Sequence, residues 1–214
     1  MARQERAEVT RSAILEGAAR AFEKAGFAGT SLSDIVGEAG VTKGALYFHF
    51  ASKEELAQAV IEEQFSVWDD VPALDLPGVQ TVIDLLHGMA EQLQASIRVR
   101  AAIRLVVDQS SSTGANADPY VKWIDLIRNC FAQAQGRGDI RADVDVESAA
   151  NLIVGCWTGL QLSSQVLTGR KDLNERTTQM WQVMLPGLVP VRRLGRFLPE
   201  GTGRSALVAG AAGQ

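Results

Sequence analysis

The 214-residue sequence has two cysteines, two histidines, two tyrosines and six prolines, and each scarcity removes a class of protein. Cys130 and Cys156 fall in helical patterns without metal-ligand spacing, so buried free thiols are expected rather than a disulfide framework. His87 has no second histidine or cysteine at ligand spacing, which makes it structural and leaves no metal site. There is no Ser/His/Asp arrangement with local support, no phosphate-cradling glycine loop and no paired-carboxylate motif. The expectation is a chain without cofactor and without catalysis. Long apolar runs are missing as well. Residues 149–162 are too short to cross a bilayer and contain Asn151 and Gln161. The first six residues, Met-Ala-Arg-Gln-Glu-Arg, are charged and lack a signal-like apolar stretch, so a cytoplasmic protein without membrane contact is expected.

What is present is helical periodicity, almost without interruption, and no convincing alternation of the strand type. The spacing predicts an all-α fold. A first helix over 7–25 buries Ile14, Ala18, Ala21 and Phe22 and stops at Gly26. Later helices are expected over about 79–96, 98–109, 120–135, 146–167 and 173–188. Breaks are expected at 72–78, at the Ser/Gly/Asn-rich 110–118 and at Gly136 to Gly138. This gives a small N-terminal DNA-binding domain (1–53), a larger helical domain (54–200) and a poorly ordered Gly/Ala-rich tail (201–214).

Residues 33–50 carry the most information. Leu32, Ile35, Val36 and Ala39 share one helix face, and Gly40 permits a tight turn. Thr42 stands at an N-cap position, and the short helix behind it turns Ala45, Leu46 and Phe50 inward. Its outer side is left with Lys43, Gly44, Tyr47 and His49. That arrangement reads as a helix-turn-helix whose second helix suits the DNA major groove. For His49 the alternatives are a phosphate contact or a packing role. Net charge is −4, yet residues 1–53 hold seven basic against six acidic side chains, so the acidic excess lies in the remainder. Arg3, Arg6, Lys43 and Lys53 stand where phosphate contacts are expected.

The stretch from Arg11 to Leu56 resembles the N-terminal domain of TetR-family transcriptional repressors. The resemblance is carried by Ile14-Leu15, Gly26-Phe27, Thr30-Ser31-Leu32, the run from Thr42 to Phe50 and Lys53-Glu54-Glu55-Leu56. It implies a repressor that binds double-stranded operator DNA through Thr42, Lys43, Gly44, Tyr47, His49 and Lys53. A palindromic operator matches a two-fold homodimer. The surface expected for it combines Ala149, Ala150, Ile153, Val154, Trp157 and Leu160 with Met180, Trp181, Met184 and Leu185. Gly155 and Gly159, four apart, leave room for a close neighbour.

Trp123, Trp157 and Trp181 fall on three separate helices, which suits either a packed core or an aromatic ligand pocket. Met-Ala-Arg-Gln at the start, Gln64, Trp123, Trp157-Thr-Gly-Leu-Gln161 and Gly187-Leu-Val-Pro-Val-Arg192 resemble the γ-butyrolactone receptor branch of the family. That resemblance implies release of DNA by a small lactone-like signal (a butyrolactone, butenolide or furan) contacted by Gln64, Trp123 and Thr158, with control of secondary metabolism. A TetR-type repressor sensing an antibiotic or drug is the alternative.

Overall fold

The computed structural model describes residues 2–65, 77–113 and 118–203, and every regular element among them is helical. Among the described residues nine α-helices follow one another: α1 (Ala2–Gly29), α2 (Leu32–Ala39), α3 (Lys43–His49), α4 (Lys53–Phe65), α5 (Val79–Ala95), α6 (Ile97–Thr113), α7 (Asp118–Gly136), α8 (Val146–Thr168) and α9 (Leu173–Leu188). A 3-10 helix, Val191–Arg196, comes after them. Packing groups α1–α4 with α6 in one unit, and α5 with α7–α9 and the C-terminal segment in another. These units do not follow a boundary at residue 53, because α4 and the distant α6 both pack with α1.

Local chemistry explains most boundaries. Ser31 and Asp34 form a reciprocal capping box at the start of α2, and the hydrogen bonds from Ser31 hold the Asp34 carboxyl below its ordinary pKa. Thr42 accepts from the Ala45 N–H at 3.1 Å, Ser52 from Glu55 at 3.0 Å, and Asp145 from Ser148 at 3.2 Å. Gly40 and Gly169 close α2 and α8 in the left-handed conformation that glycine adopts at least cost.

Two expected boundaries need correction. Helix α1 starts at Ala2 rather than residue 7, since residues 2–10 contain no breaker and several strong helix formers. The expected stop at Gly26 holds: its backbone (φ 71°, ψ 178°) leaves the helical region and breaks α1, and a short helical stretch follows it to Gly29. Residues 110–113 belong to α6, because serine and threonine only mildly disfavour a helix and Gly114 is the first breaker; residues 114–117 lie outside the described set. Of the predicted tail, Thr202 is tied by its N–H and hydroxyl to the two carboxylate oxygens of Asp84, both at 2.8 Å, while 204–214 lie outside the described residues.

The first unit centres on Ile14, Phe22, Ile35, Leu46 and Leu56, all fully buried. Each such side chain contributes about 1.5–3 kcal/mol through burial. Gly17 lets α2 close on α1: a Cβ there would lie 2.5 Å from the Ala39 backbone nitrogen. In the second unit the interior is built from Leu86, Phe131, Trp157 and Trp181, among others.

Candidate DNA interface and ligand pocket

Helix α3 sorts its residues by face. Leu46 and Phe50 are buried and Ala45 half-buried, whereas Thr42, Lys43, Gly44 and Tyr47 are exposed. The Thr42 hydroxyl uses its acceptor lone pair on Ala45 and keeps its own proton for an outside acceptor. Lys43 extends over the Tyr47 ring, its ammonium 6.0 Å from the centroid. A Cβ at Gly44 would meet no protein atom within 4 Å, so no internal contact requires glycine there. His49 is half-buried, with its ring edge-on to Phe48 at 5.1 Å. Sequence reasoning missed Phe48, which is 77% exposed on the same short helix. Its signal was available: an aromatic at a register that α3 does not turn inward.

Lys53 is engaged differently from the expected phosphate contact. Its ammonium donates to the Phe27 and Thr30 carbonyls, both at 2.9 Å, and lies 4.3 Å from the Phe27 ring centroid. It therefore fastens α4 to the corner that follows the Gly26 kink. On the other side of that corner Asp108 of α6 accepts from the Phe27 N–H at 3.1 Å. Arg98, also on α6, donates to Glu16 at 2.7 Å, to Glu63 at 2.9 Å and to the Ser12 carbonyl at 3.0 Å. One guanidinium thus joins α6 to both α1 and α4, a role that α6's own periodicity does not reveal.

In the second unit, Trp123 of α7 is buried and meets Trp157 of α8 edge-to-face, with centroids 5.3 Å apart and planes at 86°. Tyr120 lies 6.2 Å from the Trp123 ring. The Thr158 hydroxyl oxygen is shielded from solvent and has no hydrogen-bond partner, and the same holds for the indole nitrogens of Trp157 and Trp181. Buried side-chain polar atoms of this kind are uncommon in folded proteins, where the large majority find a partner. Trp123 and Trp157 are thus in contact, and Thr158 follows Trp157 in the chain. The Gln64 side chain lies outside the described residues. Gln161 is buried and accepts from Arg170 at 3.4 Å. Burial raises the Cys130 thiol to about 11, which keeps it protonated at neutral pH. His87 donates its Nε2–H to the Pro199 carbonyl, 2.8 Å away, and no cluster of metal-ligating residues occurs among the described residues.

The surface expected for a dimer is corrected in its membership. Ile153, Trp157 and Trp181 are at most 1% exposed, so they are core of the single chain. Alongside the polar Asn151, Ser163 and Gln165, α8 turns outward Leu152 (57% exposed), Gly155, Gly159, Leu162 and Val166, and α9 exposes Val183 and Gly187. A Cβ on Gly155 or Gly159 would meet nothing within 4 Å, which leaves both open to an approaching helix. No described helix is long and apolar enough to cross a membrane.

Residues 14–60 match the model of bacterial regulatory proteins of the tetR family, and residues 77–190 match the tetracyclin repressor-like C-terminal domain. The A-factor receptor protein of Streptomyces griseus is 35% identical over 203 residues, which span 94% of this chain and 71% of that protein. Among solved structures, CprB from Streptomyces coelicolor in complex with its biological operator sequence is similar at a TM-score of 0.77 and 31% identity, over 98% of this chain and 99% of that one. An ArpA-like γ-butyrolactone receptor is similar at a TM-score of 0.70 and 30% identity, over 97% of each chain.

Proposed function

Because the chain belongs to the TetR family of bacterial regulatory proteins, we propose that it is a homodimeric repressor released from a palindromic operator by a small lactone-like signal. The observation that carries this reading is the set of buried, unpartnered polar atoms beside the Trp123–Trp157 pair. They give an apolar interior a few hydrogen-bonding groups, which is the makeup of a small-molecule site. The likeness to the A-factor receptor and to the γ-butyrolactone receptor supports a lactone as its occupant, with Trp123 against the ring or tail and Thr158 and Gln64 as hydrogen-bonding groups. Those likenesses also support secondary metabolism as the regulated process and the bacterial cytoplasm as its place.

On the DNA side, Lys43 supplies a charge-assisted contact, Gly44 lets the backbone approach, and Thr42, Tyr47 and His49 contact the phosphate backbone. Lys53 contributes by fixing the corner beneath them, with one ammonium proton left for a phosphate. Two copies meeting through the outward strip of Leu152, Gly155, Gly159 and Val166 set the recognition helices at a half-site spacing, one helical turn or a multiple of it.

Release requires that the ligand favour the conformation that does not fit the operator, since equal affinity for both states shifts nothing. A near-complete swing takes about 5.5 kcal/mol of differential binding. The chain passes between the two units three times, and α6 lies between the last two crossings. Strain in the second unit therefore acts on both ends of α6, and Arg98 and Asp108 hand it to α1 and α4.

The test is a mobility-shift titration on the promoter region of the protein's own gene, searched for an inverted repeat, with and without a 2-acyl-γ-butyrolactone. Micromolar lactone should free the DNA and be recovered unhydrolysed. Release by an antibiotic with indifference to the lactone would replace the signal class, and hydrolysis of the lactone would make the protein an enzyme.

A further inference from the structure

We infer that the indole N–H of Trp157 is a specificity-determining donor that reads the ring carbonyl oxygen of the signal molecule. The inference rests on the ligand-responsive reading above and adds to it a residue and the chemistry it selects. Trp157 is 1% exposed, and its Nε1 has no hydrogen-bond acceptor. Leaving such a donor buried costs about 1–3 kcal/mol, a penalty that an arriving acceptor removes. The ring is also held in place. Its edge-to-face contact with Trp123 at 5.3 Å and 86° fixes the direction of the N–H before any ligand enters. A donor fixed in advance loses little freedom when the bond forms.

The chemistry of the neighbourhood narrows the partner. An indole nitrogen can only donate, so it selects an acceptor and rejects an ammonium group at the same place. Thr158, next in the chain, presents a second buried and unpartnered group that is able to donate. Trp123, Trp157 and Thr158 carry no charge, which fits a neutral molecule with acceptor oxygens. A lactone is such a molecule: ring and carbonyl oxygens, and no N–H. Trp181 has an equally buried indole N–H without a partner, but Trp157 is the one whose ring packs on Trp123.

The experiment pairs a change in the protein with a change in the probe. Calorimetry on the full chain compares a 2-acyl-γ-butyrolactone with the matching acyl tetrahydrofuran, whose ring lacks the carbonyl. Trp157→Phe keeps a ring on Trp123 and removes only the donor. It should weaken the lactone roughly threefold to tenfold, the range of one net neutral hydrogen bond, and the tetrahydrofuran less than about twofold. Equal losses for both probes, no loss for either, or a carbonyl-selective loss that appears with Trp181→Phe instead would each overturn the assignment. If Trp157→Phe does not fold, the ¹⁵N-labelled wild type decides. The Trp157 indole proton, assigned by elimination with Phe at the other tryptophans, should move downfield with the lactone and stay with the tetrahydrofuran. A proton that stays in both cases refutes the bond. A wild type that binds neither probe overturns this inference together with the ligand reading. Wild-type lactone binding with an indifferent Trp157→Phe and an unmoved indole proton overturns this inference alone.

Discussion

The two units keep their polar chemistry in opposite places. Around α1, α4 and α6 nearly every polar group named above has a partner inside the protein: Arg98 with Glu16 and Glu63, Lys53 with two carbonyls, Asp108 with the Phe27 amide. What remains free there is on the outside, on α3. Around α7 and α8 large apolar side chains such as Leu152, Leu162 and Val166 stand on the surface, and the polar atoms without partners are inside. A surface that must meet a charged, hydrated polymer and an interior that must meet a small neutral molecule explain the inversion. Each unit leaves unsatisfied what its own partner will satisfy.

The sharpest way to break that contrast is to place a charge at two adjacent positions of α8. Ile153→Arg buries an unpaired guanidinium and should cost about 4 kcal/mol or more, enough to unfold the protomer in a thermal melt. Leu152→Arg stands one residue away on the outward strip and should leave the melt within about 0.5 kcal/mol of wild type in monomer stability. It should instead yield a monomer by light scattering and lose tight operator binding. If the two variants behave alike, the outward strip is not the dimer surface.

A smaller effect separates the two partners. Lys43→Ala should weaken operator binding by roughly 1–3 kcal/mol if the lysine reads a base edge, with lactone affinity unchanged by calorimetry. An unaltered mobility shift would remove Lys43 from the interface. The mildest change is Arg98→Met, which keeps the stem and removes the ties to α1 and α4. Its ion pairs are partly exposed, so the stability loss should be about 1 kcal/mol or less. The more telling readout is the lactone concentration needed to release DNA, which should rise as α6 loses its hold on α1. An unshifted release curve would take Arg98 out of the transmission path.

The sequence was most legible where a side chain's fate depends on its near neighbours. Leu173–Leu188 has the predicted bounds, and Thr42 caps α3 as its position implied, because a cap is decided within three residues. The face of α3 was legible for the same reason. Lys53 was not, since its two acceptors lie 26 and 23 residues earlier and a charge at a helix start looks alike whether it faces phosphate or a carbonyl. The close approach at Gly17 depends on Ala39, equally invisible locally. On α8 the failure has another cause. The helix is apolar nearly all round, so periodicity cannot tell Ile153 in the core from Leu152 on the surface. The unpartnered indole of Trp157 has no sequence signature at all; only the packed interior reveals it.

The discontinuity of the first unit has a consequence for building hybrid regulators. A cut at residue 53, or after α4, would transplant the recognition helix onto a foreign sensor without α6, and so without Arg98 for Glu16 and Asp108 for the Phe27 amide. The corner after Gly26 would then keep Lys53 on one flank and nothing on the other. The transferable cassette is two separate segments, α1–α4 and α6, so a working chimera has to exchange the sensor around α6 rather than behind it.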